Sequence, residues 1–202
     1  ISLAVALVLG IGLGTLAAIR RNTWVDYVAS SFGMIGISIP TFVVGPLLVL
    51  ALAIHLGWFN ASGWYGPADR VLPALVLGIA YAAPISRLTR GGLLEVLNQD
   101  FIRTARAKGA GQRNILFLHA LKNAAVPIVT VIGIGIALLI GGAVVTESVF
   151  AIPGLGRLTV DAILRRDYPV IQGVVLLFSF VYVLVNLMID VLYTILDPRI
   201  RY

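Results

Sequence analysis

The sequence predicts an all-α, polytopic transmembrane helical bundle that occupies residues 1–202 as one domain. Three observations predict it. Of the 202 residues, 59% are apolar and only 12% are charged, against about a quarter charged in an ordinary soluble domain. The mean hydropathy of +1.00 exceeds what a water-facing exterior tolerates at this size. Five runs carry no Asp, Glu, Lys, Arg or His, namely 1–19, 27–54, 71–86, 123–146 and 168–189. None of them alternates with period two, and barrel strands would be about half as long.

A helix rises about 1.5 Å per residue, so roughly 20 residues cross a hydrocarbon layer of about 30 Å. Runs 1–19, 27–54, 123–146 and 168–189 meet that length unaided. Run 71–86 is short, but Arg70 and Arg87 at its ends can snorkel toward the headgroups and let it cross. Five spans are therefore expected. Pro40 and Pro46 in the second run, Pro73 and Pro84 in the third and Pro127 in the fourth each remove a backbone donor and predict kinks. Gly10 and Gly14 form a GxxxG pair, and Gly133, Gly135, Gly141 and Gly142 line the fourth run. This spacing predicts close helix packing, which a gated pathway also uses.

Five crossings place the connecting segments on alternate sides. One side collects Arg20, Arg21, Arg87, Arg90, Arg103, Arg106, Lys108, Arg113, Lys122, Arg199 and Arg201; the other holds only Arg70, Arg157, Arg165 and Arg166. By the positive-inside rule the first side is cytoplasmic, including the stretch 87–122 and the C-terminus. The net charge of +6 thus reports topology in the lipid membrane, and no nucleic-acid partner is expected. Ile1 then lies outside, which predicts that an N-terminal span precedes it. Residues 1–19 lack a basic n-region and a small-residue cleavage site, so they do not read as a secretory signal.

Composition removes several chemistries. No cysteine occurs, which excludes disulfides and thiolate sites. Polar groups inside the runs are sparse: Ser38, Thr41, Thr130, Gln172, Ser179 and Asn186, with Asp190 at the end of the last. An ion-coupled carrier usually holds an ionisable residue near mid-bilayer, and none stands there. His55 and His119 are isolated, and HExxH, GxSxG and carboxylate clusters are missing, so no catalytic residue, metal or cofactor is expected. Pro153-Gly154-Leu155-Gly156-Arg157 lacks the GxxxxGK[ST] spacing and its lysine, so the chain should not hydrolyse ATP itself.

The stretch 87–122 carries seven basic and two acidic residues. Within it, Asp100-Phe101-Ile102-Arg103-Thr104-Ala105-Arg106-Ala107-Lys108-Gly109 reads as a short capped helix. Asp100 suits an N-cap, and Gly109 suits the position past the helix end, with Lys108 near the negative end of the dipole. Phe101, Ile102 and Ala105 share a face, with Arg103 and Arg106 beside it. Two turns are marginal in water, so this helix should be held by packing against something larger. It reads as a knob for a partner's groove, whereas Arg87, Arg90 and Lys122 read as solvated charges that enforce topology.

The run Asp100 to Gly109, followed by His119-Ala120-Leu121-Lys122-Asn123 and Pro127, resembles the coupling loop of ABC-importer permeases of the dipeptide/oligopeptide/nickel family. Arg103, Thr104 and Ala105 stand where many importers carry Glu-Ala-Ala. Glu147-x-x-Phe150-x-x-Pro153-Gly154-Leu155-Gly156, Arg166-Asp167-Tyr168-Pro169, Asn186, Asp190 and Asp197-Pro198-Arg199 are similar to the same family along nearly the whole chain. The resemblance implies a type I ABC-importer permease fold, whose members carry one more N-terminal helix. It also implies a homologous second permease subunit, two cytoplasmic ATPase subunits and an extracytoplasmic solute-binding protein.

The function expected is a membrane permease subunit of an ATP-driven importer for di- or oligopeptides, located in a bacterial or archaeal inner membrane. Asp100 to Gly109 would couple it to an ATPase, and Ser38, Thr130 and Asn186 are candidate translocation-pathway residues. Residues 147–167 form an extracytoplasmic segment with a Pro-Gly turn. They read equally as a packed cap over the helix ends or as a contact for the binding protein through Glu147, Phe150, Pro153, Arg166 and Asp167. The rival readings are an ion-coupled carrier or channel, and a purely structural membrane subunit.

Overall fold

The computed structural model describes residues 1–196, and no strand occurs among them. The Asp197-Pro198-Arg199 motif and Arg201 lie outside the described residues. The main helices are α1 (Ser2–Ile19), α2 (Trp24–Ser38), α3 (Thr41–Leu48, continued by a π-helical stretch Val49–His55) and α4 (Val71–Leu97, preceded by a 3₁₀ turn Pro67–Arg70). Then come α5 (Asp100–Ala107), α6 (Gln112–Asn114), a π-helical stretch Ile115–Ala120, α7 (Leu121–Asn123), α8 (Ala125–Val149), α9 (Leu155–Arg165) and α10 (Tyr168–Leu196).

Among the described residues three helices are long and apolar enough to cross a membrane alone: Ser2–Ile19, Pro67–Leu97 and Tyr168–Leu192. The number rises to five if the bent pairs Trp24–Ser38 with Thr41–His55 and Gln112–Asn123 with Pro127–Gly133 each count as one span, by length and composition. The second run is therefore not one straight span. Its two helices meet at 107°, because Pro40 cannot donate a backbone hydrogen bond and forces Ile39 into extended geometry (φ −93°, ψ 119°).

The third run is longer than its uncharged residues suggest. Helix α4 continues eleven residues past Ser86 to Leu97, so Arg87 and Arg90 sit on a helix rather than at the start of a loop. It is also the centre of the bundle. Its best apolar window is 56% buried, against 28% for α1 and 11% for α10, and it packs on α1, α2, α3 and α8. The GxxxG pair of α1 makes the closest of these approaches possible. A Cβ on Gly10 would stand 2.7 Å from Ile85, and one on Gly14 would collide with the Ser86 carbonyl and Thr89, so only hydrogen fits there.

Arg90 corrects the expectation of a solvated charge. Its Nε donates to Asp26 Oδ1 at 2.6 Å and its Nη2 to Oδ2 at 2.8 Å. The Asn22 backbone N–H (2.9 Å) and the Ser30 hydroxyl (3.3 Å) also donate to this carboxylate, which is only 3% exposed. A carboxylate this enclosed needs such partners to remain charged. The pair clamps the start of α2 to the last turns of α4, at the end of the bundle that also carries Arg20, Arg21 and α5.

Candidate functional site

Helix α5 leaves α4 through Asn98 and Gln99 and stands at this basic end. Gln99, in extended geometry (φ −78°, ψ 155°), is the N-cap, and Asp100 takes the first helical position, one residue later than expected. An acid there still favours the positive end of the helix dipole, and the Thr104 hydroxyl donates to the Asp100 carbonyl at 3.0 Å. The other end closes as the sequence predicts. Gly109 adopts φ +83°, its N–H donates to the Arg106 carbonyl at 2.9 Å, and the Ala110 N–H donates to the Ala105 carbonyl at 3.1 Å. These two bonds make a Schellman C-cap, which glycine permits at least cost.

What fixes α5 is Ile102. It is fully buried, in a cluster with Ala18 of α1, Leu93 and Val96 of α4, Ile115 and Ala120 of the π-helical stretch, and Ala124 and Ile128. Ala105, one turn on, is half-buried. Phe101, expected on the same face, instead remains 39% exposed. Phe101, Thr104 and Lys108 form an outward face, each at helical spacing from the next. Arg103 and Asp100 pair at 3.5 Å on the surface, where such a pair adds little stability. The geometry is that of a short knob with one apolar key, set against the π-helical stretch Ile115–Ala120 in a cluster that also takes in residues of α1, α4 and the start of α8.

The other predicted residues fall elsewhere. Ser38, Thr130 and Asn186 lie on α2, α8 and α10 respectively. The Ser38 hydroxyl donates to the Met34 carbonyl (2.8 Å), and the Asn186 amide to the Tyr182 carbonyl (2.8 Å), so both bond within their own helices. Thr130 is half-buried.

At the far end of the bundle, two of the five proposed contact residues point inward. Phe150 is 2% exposed, clustered with Leu72 and Val76 among Val44, Leu48 and Leu52 of α3 and its continuation and Phe59 of the loop that follows. Its carbonyl accepts the Gly63 N–H at 2.9 Å. The Glu147 carboxylate rests against Gly154 and Gly156 and accepts the Arg157 N–H at 3.0 Å. It caps the first turn of α9, where an anion is favoured. Pro153, Arg166 and Asp167 are exposed. Arg166 is left-handed (φ 56°) at the end of α9, and Asp167 Oδ1 accepts the Val170 N–H at 3.3 Å as α10 begins.

The same end holds a polar knot that sequence reasoning missed. Asp69 accepts hydrogen bonds from the Asn60 amide (2.6 Å) and from the Tyr65 and Gly66 backbone N–H groups (2.7 and 2.8 Å). The Arg70 guanidinium stacks over Trp64 at 5.4 Å.

Comparison with known proteins agrees with this architecture. A family model described as "Binding-protein-dependent transport system inner membrane component" matches residues 10–202. The chain is 49% identical over 210 residues to the "Probable peptide ABC transporter permease protein y4tP" of Sinorhizobium fredii (strain NBRC 101917 / NGR234), covering 100% of this chain and 67% of that protein. It is 44% identical over 201 residues to the glutathione transport system permease protein GsiC of Escherichia coli (strain K12), covering 100% of this chain and 66% of that protein. The chain thus spans about two thirds of the length of these relatives. Among solved structures, an inward-facing form of the MetNI methionine ABC transporter superposes with a TM-score of 0.80 at 21% identity, over 97% of this chain and 89% of that one. That likeness concerns the fold.

Proposed function

Because the chain belongs to the family of binding-protein-dependent transport system inner membrane components, we propose that it is one permease subunit of an ATP-driven importer for peptides. A second, homologous permease completes the pathway, two ATPase subunits bind in the cytoplasm, and a solute-binding protein delivers cargo from outside. The basic end, with α5 and the C-terminus, faces the cytoplasm.

The observation that carries this reading is the seat of Ile102. A helix that merely hung from a loop would absorb a partner's motion in its own flexibility. One keyed through the π-helical stretch into the cluster that joins α1, α4 and the start of α8 transmits that motion to the bundle as a rigid element. ATP must supply several kcal/mol of difference between the inward and outward states to invert their populations. The relatives are named as permease proteins of transport systems, and in this reading an ATPase partner supplies that energy. The relatives' names point to peptides, and glutathione is itself a tripeptide.

The test is reconstitution of the full-length protein with its companion permease, ATPases and binding protein in proteoliposomes. Labelled tripeptide should accumulate only with ATP and all companions present. Uptake driven by an ion gradient without nucleotide would overturn the proposal.

A further inference from the structure

Beneath α5, on the side away from its outward face, lies a cavity of about 500 Å³. Arg21, Arg106 and Arg113 share it with Gln112, over an apolar wall that includes Leu94 and Leu97. Among the described residues no carboxylate lines it, and neither ion pair uses these three arginines. Arg106 follows Ile102 by four positions and so flanks the key that faces the bundle, apart from Phe101, Thr104 and Lys108. The arrangement therefore leaves the outward face of α5 free.

Three unpaired guanidinium groups around one cavity repel each other, and an anion between them converts that repulsion into charge-assisted hydrogen bonds. Depth identifies the anion. The apolar helix α1 ends at Ile19 and is followed at once by Arg20 and Arg21, so the cavity stands where a bilayer's apolar layer gives way to headgroups. On the adjoining flank of α1, Leu16 and Ile19 are 51% and 49% exposed, which provides a surface for acyl chains. A small free anion would use only the charged half of such a site.

We propose that this cavity binds the phosphate of an anionic phospholipid, which ties α1, α5 and α6 together at the membrane surface. The site shares no residue with the outward face of α5 or with Ser38, Thr130 and Asn186.

Native mass spectrometry of the full-length protein, exchanged into micelles with phosphatidylglycerol or phosphatidylcholine, reads the binding directly. Phosphatidylglycerol should be retained in preference to phosphatidylcholine. Losing two of the three charges in R106Q/R113Q should weaken its retention roughly 30-fold, whereas R157Q at the opposite end should leave it unchanged. R106K, which keeps the charge but not the planar fork, should fall between, and it guards against misfolding as the cause. Equal retention of both lipids, or wild-type retention by R106Q/R113Q, would overturn the proposal. So would complete displacement by millimolar inorganic phosphate, which would mark a free-anion site, or loss of the lipid when the ATPase subunits bind.

Discussion

Replacing Ile102 by alanine isolates the role of the key. The side chain is fully buried among residues of α1, α4 and the start of α8, and the change removes three carbons. At roughly 0.8 kcal/mol per buried CH₂ the transfer loss alone is about 2.4 kcal/mol, and the cavity left behind brings the range to about 2–5 kcal/mol. An eight-residue helix has almost no stability of its own, so the loss should appear as local opening of α5. At about 1.4 kcal/mol per factor of ten, amide protection over residues 101–108 should fall roughly 50-fold or reach the unprotected limit. Hydrogen exchange of the full-length protein in nanodiscs measures this, with F101A as the comparison because Phe101 stays 39% exposed. Phe101→Ala should leave protection within about threefold. If Ile102→Ala left α5 as protected as the wild type, the helix would not be held by this contact and the rigid lever would be lost.

Three further outcomes follow from the same packing. Gly109→Val should destabilise the end of α5 by about 1–2 kcal/mol or more, because φ +83° strains a β-branched side chain. Nothing stands within 4 Å of a Cβ there, so Gly109→Asn, which tolerates that conformation, should recover most of the loss in the same exchange experiment. Gly14→Ala should cost about 1–3 kcal/mol in thermal unfolding by forcing α1 off α4, whereas Gly12→Ala, with open space around it, should cost less than about 0.5 kcal/mol. Arg90→Met should cost about 3 kcal/mol by stranding the Asp26 carboxylate, and Asp26→Leu/Arg90→Met should regain most of it. Additive losses in that double-mutant cycle would refute the clamp between α2 and α4.

What the sequence made legible was largely local. Gly109 and Lys108 fix the end of α5 through neighbours within five residues, and the structure reproduces that closure; the start moved only from Asp100 to Gln99, within the ambiguity of any helix boundary. The run 27–54 reads as one crossing with kinks at Pro40 and Pro46; that the chain turns by 107° between Ser38 and Thr41 does not follow from composition, because a proline removes a donor without setting the angle. Arg90 was beyond such reasoning. Its partner lies 64 positions away, and a charge beside an apolar run ends a composition scan whether it meets water or a buried carboxylate. Glu147 and Phe150 belong to a motif that the sequence displays, yet their placement is set by distant partners: the first turn of α9 for Glu147, and residues of α3 and α4 for Phe150. Arg21, Arg106 and Arg113 were legible as positive charges on one side, but only the fold gathers them around one cavity.

The central claim is that the outward face of α5 is gripped by a nucleotide-driven partner. The 202 residues contain no cysteine, so Ala107→Cys in a full-length protein otherwise free of cysteine gives a single attachment point for a cross-linker in native membranes. If α5 is gripped in this way, a covalent adduct with an ATPase subunit forms, and its yield changes when ATP binds. Intact, inserted protein that never yields such an adduct would contradict it.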